Sequence, residues 1–183
     1  MDNSFTLLIT GKPFTGKSTI SRLVTEEILK RNFKVEIVDG GILKKEILTG
    51  LSYSISDIEL NTETVAAICT VLNDNGVSAV ATSLIPFRKN RENLVKIHLT
   101  APDDVLKTRD SEGFYSKHDL ENFDFPAGKV DLTIDSSIKS PDVIFREIIG
   151  LLQELTFLEI AQDDYSDEEK AEIDARLKSL GYM

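Results

Sequence analysis

Eight consecutive residues, Gly11-Lys12-Pro13-Phe14-Thr15-Gly16-Lys17-Ser18, narrow the folds open to this 183-residue chain more than anything else in it. They satisfy the pattern G-x-x-x-x-G-K-[ST] at every fixed position. The context is also right. Residues 5–10, Phe-Thr-Leu-Leu-Ile-Thr, form a short apolar run that reads as a buried strand. Residues 17–31 place Ile20, Leu23, Val24, Ile28 and Leu29 at helical spacing. A strand, a glycine-bounded turn and a helix are what phosphate binding requires. Gly11 and Gly16 let the backbone turn so that successive N–H groups face one phosphate. The helix N-terminus adds its partial positive charge. Lys17 is expected to reach the β and γ phosphates, and the Ser18 hydroxyl to ligate Mg²⁺, which prefers oxygen. Thr15 and Thr19 complete the nucleotide contacts expected of this loop.

The rest of the chain alternates in the same way. Residues 34–39 read as a second strand ending at Gly40-Gly41, and residues 42–48 as a short helix. Ser56 to Leu72 carries Ile58, Val65, Ala66, Cys69 and Leu72 at helical spacing, and Gly76 follows its end. Residues 77–81 and 94–99 read as third and fourth strands, and residues 130–134 as a short fifth. Pro102 suits the first turn of a helix running to about Asp110, and Ser140-Pro141 starts another reaching about Phe157. Strands alternating with helices imply an α/β fold with a parallel sheet. Residues 111–129 hold two glycines, a proline and mixed charges, and read as a surface loop or lid. The expected division is a main domain over 1–157, followed by an acidic linker and C-terminal helix over 158–183.

Charge excludes some partners. The formal net charge is −10, so a basic footprint for nucleic acid or anionic lipid is not expected. Nine acids against the single base Lys170 fall within residues 154–174. Ser166-Asp167-Glu168-Glu169 is a capping-box sequence, and Ile173, Leu177 and Leu180 form a narrow apolar stripe. That stripe packs on the parent domain or docks a homodimer or other partner. No apolar run is long enough to span a bilayer, and the expected compartment is the cytoplasm. One cysteine, Cys69, and two histidines leave no cysteine-based metal cage. His98 reads as structural, whereas His118 lies in the lid. The dense basic cluster of the body is Arg88, Lys89 and Arg91.

From about Phe5 to Leu155 the chain resembles adenylylsulfate kinases, which phosphorylate the 3′-hydroxyl of adenylylsulfate with ATP. Gly11–Thr19 resembles that family's phosphate loop, and Val38-Asp39-Gly40-Gly41 its Leu-Asp-Gly-Asp segment. Residues 82–91, Thr-Ser-Leu-Ile-Pro-Phe-Arg-Lys-Asn-Arg, are similar to its Thr-Ser-Phe-Ile-Ser-Pro-Tyr-Arg-Lys-Asp-Arg stretch. Thr100-Ala101-Pro102 resembles Asp-Ala-Pro, and residues 109–115 resemble the start of the lid. The resemblance implies the P-loop nucleotide-kinase fold, a five-stranded parallel sheet flanked by helices. It implies ATP and Mg²⁺, with Lys17, Asp39 and Arg109 as catalytic residues and Ser18 and Asp39 at the metal. It also implies a small-molecule acceptor held by Lys44, Tyr53, Asn61, Arg88 and Arg91.

The departures from the family fall on the acceptor side. Gly41 stands where the second acid of Asp-Gly-Asp is the expected base. Lys44 and Ile58 replace arginines, and Glu112 replaces the lysine at the start of the lid. Each lost arginine contact to an anion is worth roughly 1–3 kcal/mol, and a lost general base about 10²–10⁴ in rate. The expectation is an ATP-dependent phosphotransferase of the adenylylsulfate kinase type, its acceptor either adenylylsulfate, giving 3′-phosphoadenylylsulfate, or a different hydroxyl compound. The alternatives are a weak or inactive ATP-binding regulatory module that engages a partner, and a kinase for another small hydroxyl metabolite.

Overall fold

The computed structural model describes residues 4–89, 93–118 and 129–158. The strands are β1 (Thr6–Thr10), β2 (Val35–Asp39), β3 (Ser78–Ser83), β4 (Leu94–Thr100) and β5 (Leu132–Asp135). The helices are α1 (Lys17–Lys30), α2 (Gly40–Glu46), α3 (Ile55–Asp74), α4 (Asp103–Arg109), α5 (Phe114–Lys117) and α6 (Pro141–Glu154). All five strands join one sheet in the order β2-β3-β1-β4-β5, every neighbouring pair parallel.

A parallel sheet must be covered on both faces, and its strands read as continuous apolar runs for that reason. β1 is buried at all five positions. Successive side chains point to opposite faces. Leu7 and Ile9 therefore pack with Ile20, Val24 and Ile28 of α1 and Ile144 and Ile148 of α6. Leu8 packs on the other face with Val38, Leu43, Val65 and Cys69. Phe157 stacks on Phe5 at 5.1 Å between ring centroids, and Leu158 is buried beside them.

Three departures from the sequence expectation bear on the site, beside shifts of one to three residues at other element ends. α2 begins at Gly40 rather than Ile42, because the Asp39 carboxylate accepts from the N–H groups of Gly41 and Ile42. An N-cap of this kind offsets the glycine pair's weak helix propensity. Pro102 occupies the N-cap of α4 rather than its first turn. Residues 114–117, within the stretch read as a loop or lid, form α5, which the Asp110 carboxylate ties down by accepting from Glu112 N and Tyr115 N. The remainder of that lid at 119–128 and the C-terminal helix expected within 159–183 lie outside the described residues. Among the described residues no helix is long and apolar enough to cross a membrane.

Strand register decides what meets at the carboxyl edge of the sheet. Thr10 lies beside Ser83 and His98, and Asp39 lies beside Thr82. The chain leaving β1 thus turns next to the end of β3, with Asp39 one strand further on. Open α/β sheets bind ligands at this edge, where successive connections diverge. Ile148 is fully buried and lines no part of that edge. Ile148→Ala is expected to lower unfolding free energy by about 2–5 kcal/mol, read from urea denaturation.

Candidate functional site

The loop between β1 and α1 is held by donors on its carbonyls. Lys12 O accepts from Thr15 N at 3.4 Å, Thr15 Oγ1 at 2.9 Å and Lys17 Nζ at 2.7 Å. Gly11 O accepts from Lys17 Nζ at 2.8 Å. The Tyr115 hydroxyl donates to Pro13 O at 2.9 Å, and Arg109 donates to Phe14 O at 3.4 Å. The first N–H groups of α1 have no intrahelical acceptor by geometry, so they are available to an anion in the turn. Gly11 has φ 140°, and a Cβ there would lie 2.2 Å from Leu99 O, so no other residue fits. Phe14 holds φ 64°, a left-handed conformation that costs a bulky residue roughly 1–2 kcal/mol. Its ring lies 5.9 Å from those of Phe114 and Tyr115, which hold it there.

Lys17 carries the site's main cation. Enclosure of its ammonium group lowers its pKa to about 8, and the nearby Asp39 carboxylate opposes that shift only in part. His98 lies beneath the loop with Nδ1 3.0 Å from Thr10 Oγ1. The Thr10 hydroxyl donates to Ile97 O, so the His98 Nδ1–H is the donor to Thr10. Burial first and the Lys17 charge second push the His98 pKa down, which keeps the imidazole neutral. Burial, then the Asp103 and Asp110 carboxylates, raise the Tyr115 pKa, so its phenol remains a donor.

Asp39 does two things at once. Its Oδ1 caps α2, and its Oδ2 accepts from Ser18 Oγ at 2.6 Å. A hydroxyl and a carboxylate oxygen therefore converge beside the phosphate loop. Two oxygen donors suit Mg²⁺, which takes one or two protein ligands and fills its shell with phosphate and water. Gly40 secures the arrangement, because a Cβ there would lie 2.7 Å from Thr82 O and 3.3 Å from Asn61 Nδ2.

Two cavities flank the loop, and Phe14 lines both. One, of about 230 Å³, gathers Lys17, Ser18, Asp39, Lys44, Tyr53 and Asn61, all expected from the sequence, with Gly41 and Phe114. The other, of about 430 Å³, gathers Thr15, Gly16, Thr19 and Arg109 with Ser136, Lys139 and Pro141. Arg109 is aimed by Ser136, donating to its carbonyl at 2.7 Å and its hydroxyl at 3.1 Å. Gly11 lies under the loop and lines neither. Arg88 is placed elsewhere: it pairs with Glu59 at 2.6 Å and lines neither cavity. Arg91 lies outside the described residues. Sequence reasoning missed Phe14, Phe114, Ser136 and Lys139 as site residues. Phe14 and Phe114 carried a usable signal, a bulky aromatic inside the loop motif and another opening the lid, whereas Ser136 and Lys139 carried none. Gly40→Ala is expected to push α2 off the end of β3 and cost about 1–3 kcal/mol, with a lowered melting temperature and displaced Asn61 amide resonances as readouts.

Residues 3–123 match the family model for adenylylsulphate kinase. An adenylyl-sulfate kinase from Picosynechococcus sp. is 30% identical over 119 residues, covering 61% of this chain and 67% of that protein. A probable adenylyl-sulfate kinase from Pyrococcus abyssi is 26% identical over 170 residues, covering 84% and 98%. Several further adenylyl-sulfate kinases match over about two thirds of their own length. Among solved structures, the APS kinase of Mycobacterium tuberculosis in complex with AMPPNP and APS superposes with a TM-score of 0.69 at 22% identity, over 82% of this chain and 98% of that one. A gluconokinase from Sinorhizobium meliloti gives 0.56 at 18%, over 85% and 98%. At these identities the structural likeness is one of fold.

Proposed function

Because the chain belongs to the adenylylsulphate kinase family, we propose that it transfers the γ-phosphoryl group of ATP to a hydroxyl of a small acceptor. One observation carries this reading. Two cavities open on either side of a single phosphate loop and share Phe14, with Lys17, Ser18 and Asp39 lining the smaller and Thr15, Gly16, Thr19 and Arg109 the larger. The larger takes the nucleoside of ATP between Arg109 and Pro141, and the smaller takes the acceptor. Kinship to P-loop kinases implies a bound nucleotide, and ATP with Mg²⁺ is the form this site suits.

Phosphoryl transfer has a loose transition state, so positioning and charge neutralisation supply most of the catalysis. The loop N–H groups and Lys17 would take the phosphate oxygens, and Arg109 would approach from the far side. Ser18 and Asp39 would hold Mg²⁺, which when bound neutralises charge on the β and γ oxygens. The acceptor oxygen forms the new bond to phosphorus as the bond to the ADP oxygen breaks. Among the described residues, Asp39 is the one carboxylate lining the smaller cavity. A proton leaving the acceptor hydroxyl therefore goes to Asp39 or to water. Gly41 presents no side chain for this task, and the reading assigns no other base.

The test is ADP formation from Mg-ATP with and without adenylylsulfate or other small alcohols, with Lys17→Ala as the blank. Acceptor-stimulated ADP formation, lowered at least about 100-fold in Lys17→Ala, is expected. Tight Mg-ATP binding with no stimulation by any alcohol would instead favour a nucleotide-binding regulatory module. A pH dependence follows from Lys17, whose pKa of about 8 rises when phosphates surround it. Below pH 8 the ammonium is already charged, and this group adds no slope. Above pH 8, and until pH passes the pKa of the bound state, binding must take up a proton. ATP affinity then falls by up to about tenfold per pH unit. Calorimetry in buffers of different ionisation enthalpy reads both the fall and the proton uptake.

A further inference from the structure

We propose that the acceptor is an uncharged hydroxyl compound bearing a planar ring, of the chemical class of the nucleosides, rather than a multiply charged anion. This deepens the phosphotransferase reading above and rests on it.

Asn61 provides the first argument. It sits on α3, is only 8% exposed and lines the smaller cavity. Its Nδ2 donates to Gly40 O at 3.0 Å. A backbone carbonyl only accepts, so the amide orientation is fixed and Oδ1 is the remaining atom. That Oδ1 is buried and has no hydrogen-bond partner among the described residues. A buried acceptor left unpaired costs roughly 1–3 kcal/mol, which a ligand O–H or N–H would recover. Sulfate and phosphodiester oxygens carry no such proton at neutral pH and would be repelled by Oδ1, so this atom faces a hydroxyl or N–H of the ligand rather than a charged group.

The charge around the cavity gives the second argument. Its lining cations are Lys17 and Lys44. Lys17 is bonded to the phosphate loop and serves the nucleotide. The Lys44 ammonium lies 4.2 Å over the Tyr53 ring. Carboxylates offset it. Ser52 hydrogen bonds first, and the Lys44 charge further down, hold the Asp57 carboxyl below its usual range. Burial first and the Glu112 carboxylate second push the Tyr53 hydroxyl above its usual range. On α5, Lys117 is turned onto the Glu112 carbonyl. Ile58, where the resemblance puts an arginine, is buried at 4% exposure. Arg88 is held by Glu59. Among the described residues, a phosphosulfate would thus bring two negative charges to a wall where Lys44 is the lining cation not bonded to the phosphate loop, with the Asp57 carboxylate beside it.

The rings argue for a planar ligand. Tyr53 packs against Phe114 at 4.9 Å and against His118 at 4.5 Å between centroids, with Phe114 and His118 4.7 Å apart. Tyr53 and Phe114 both line the cavity. They offer a flat ring stacking or edge contacts, while the ligand's hydroxyls face Asn61 and Asp39. In the transfer itself, the nucleoside oxygen gains the phosphoryl group, ADP leaves, and the hydroxyl proton passes to Asp39 or water.

The experiment compares adenosine with adenylylsulfate, which share ring and ribose and differ in charge, and adds guanosine, cytidine, uridine and gluconate. ADP release from Mg-ATP by the full chain is measured for each, alongside the thermal shift given by Mg-ATP alone. At least one nucleoside is expected to give a kcat/KM tenfold or more above those of adenylylsulfate and gluconate. Asn61→Leu should raise the KM for that nucleoside at least tenfold. The double variant Lys44→Arg, Glu112→Lys should raise the response to adenylylsulfate. Adenylylsulfate or gluconate serving as well as every nucleoside would overturn the proposal. So would a clear Mg-ATP thermal shift with no nucleoside raising ADP release, a result that leaves nucleotide binding intact. No Mg-ATP shift at all would overturn the phosphotransferase reading, and this inference with it.

Discussion

The Lys17 ammonium holds the carbonyls of Gly11 and Lys12 at 2.8 and 2.7 Å, and the rest of the site is arranged around that grip. With those carbonyls bound, and with Pro13 and Phe14 held by Tyr115 and Arg109, the loop keeps one shape before any ligand arrives. That preorganisation is what electrostatic catalysis requires, because donors already in place need no reorganisation during the reaction. Burying a cation for this purpose has a cost, visible in the lowered pKa of Lys17. A phosphate entering the loop would relieve it. The same contacts join the loop to α4 and α5, and Phe14, held between them, lines both cavities.

Fold and phosphate-loop geometry were legible in the sequence for a physical reason. Gly11 sits where a Cβ would meet Leu99 O at 2.2 Å, and the apolar run of β1 is buried throughout. Both are local demands that a sequence must satisfy at fixed spacing. The start of α2 was not legible in the same way. Gly40-Gly41 reads as a break, and only the tertiary position of Asp39 turns it into a capped helix. Residues 114–117 read as loop because α5 is a single short turn, held by Asp110 rather than by its own propensity.

The two cavities depended still more on tertiary structure. Lys44, Tyr53 and Asn61 do meet in one cavity, yet nothing in their spacing announces it. Arg88 belongs to a basic cluster that suggested an anion site, but Glu59 and Glu63 on α3 face it instead. Ser136 directs Arg109 from 27 residues away, a pairing that no local pattern encodes. The phosphate loop is thus set by a contiguous motif, whereas both cavities draw on separate elements, the larger on Arg109, Ser136 and Lys139 and the smaller on α2, α3, the Tyr53 segment and α5.

The central claim is that the loop, with Ser18 and Asp39, forms a site for a metal-bound nucleoside triphosphate. Titration calorimetry of ATP into the full chain, with and without Mg²⁺, tests it most directly. The account predicts one ATP per chain, with affinity that rises on adding Mg²⁺ and loses that rise in Asp39→Asn. Absence of binding, or binding indifferent both to Mg²⁺ and to Asp39→Asn, would contradict it.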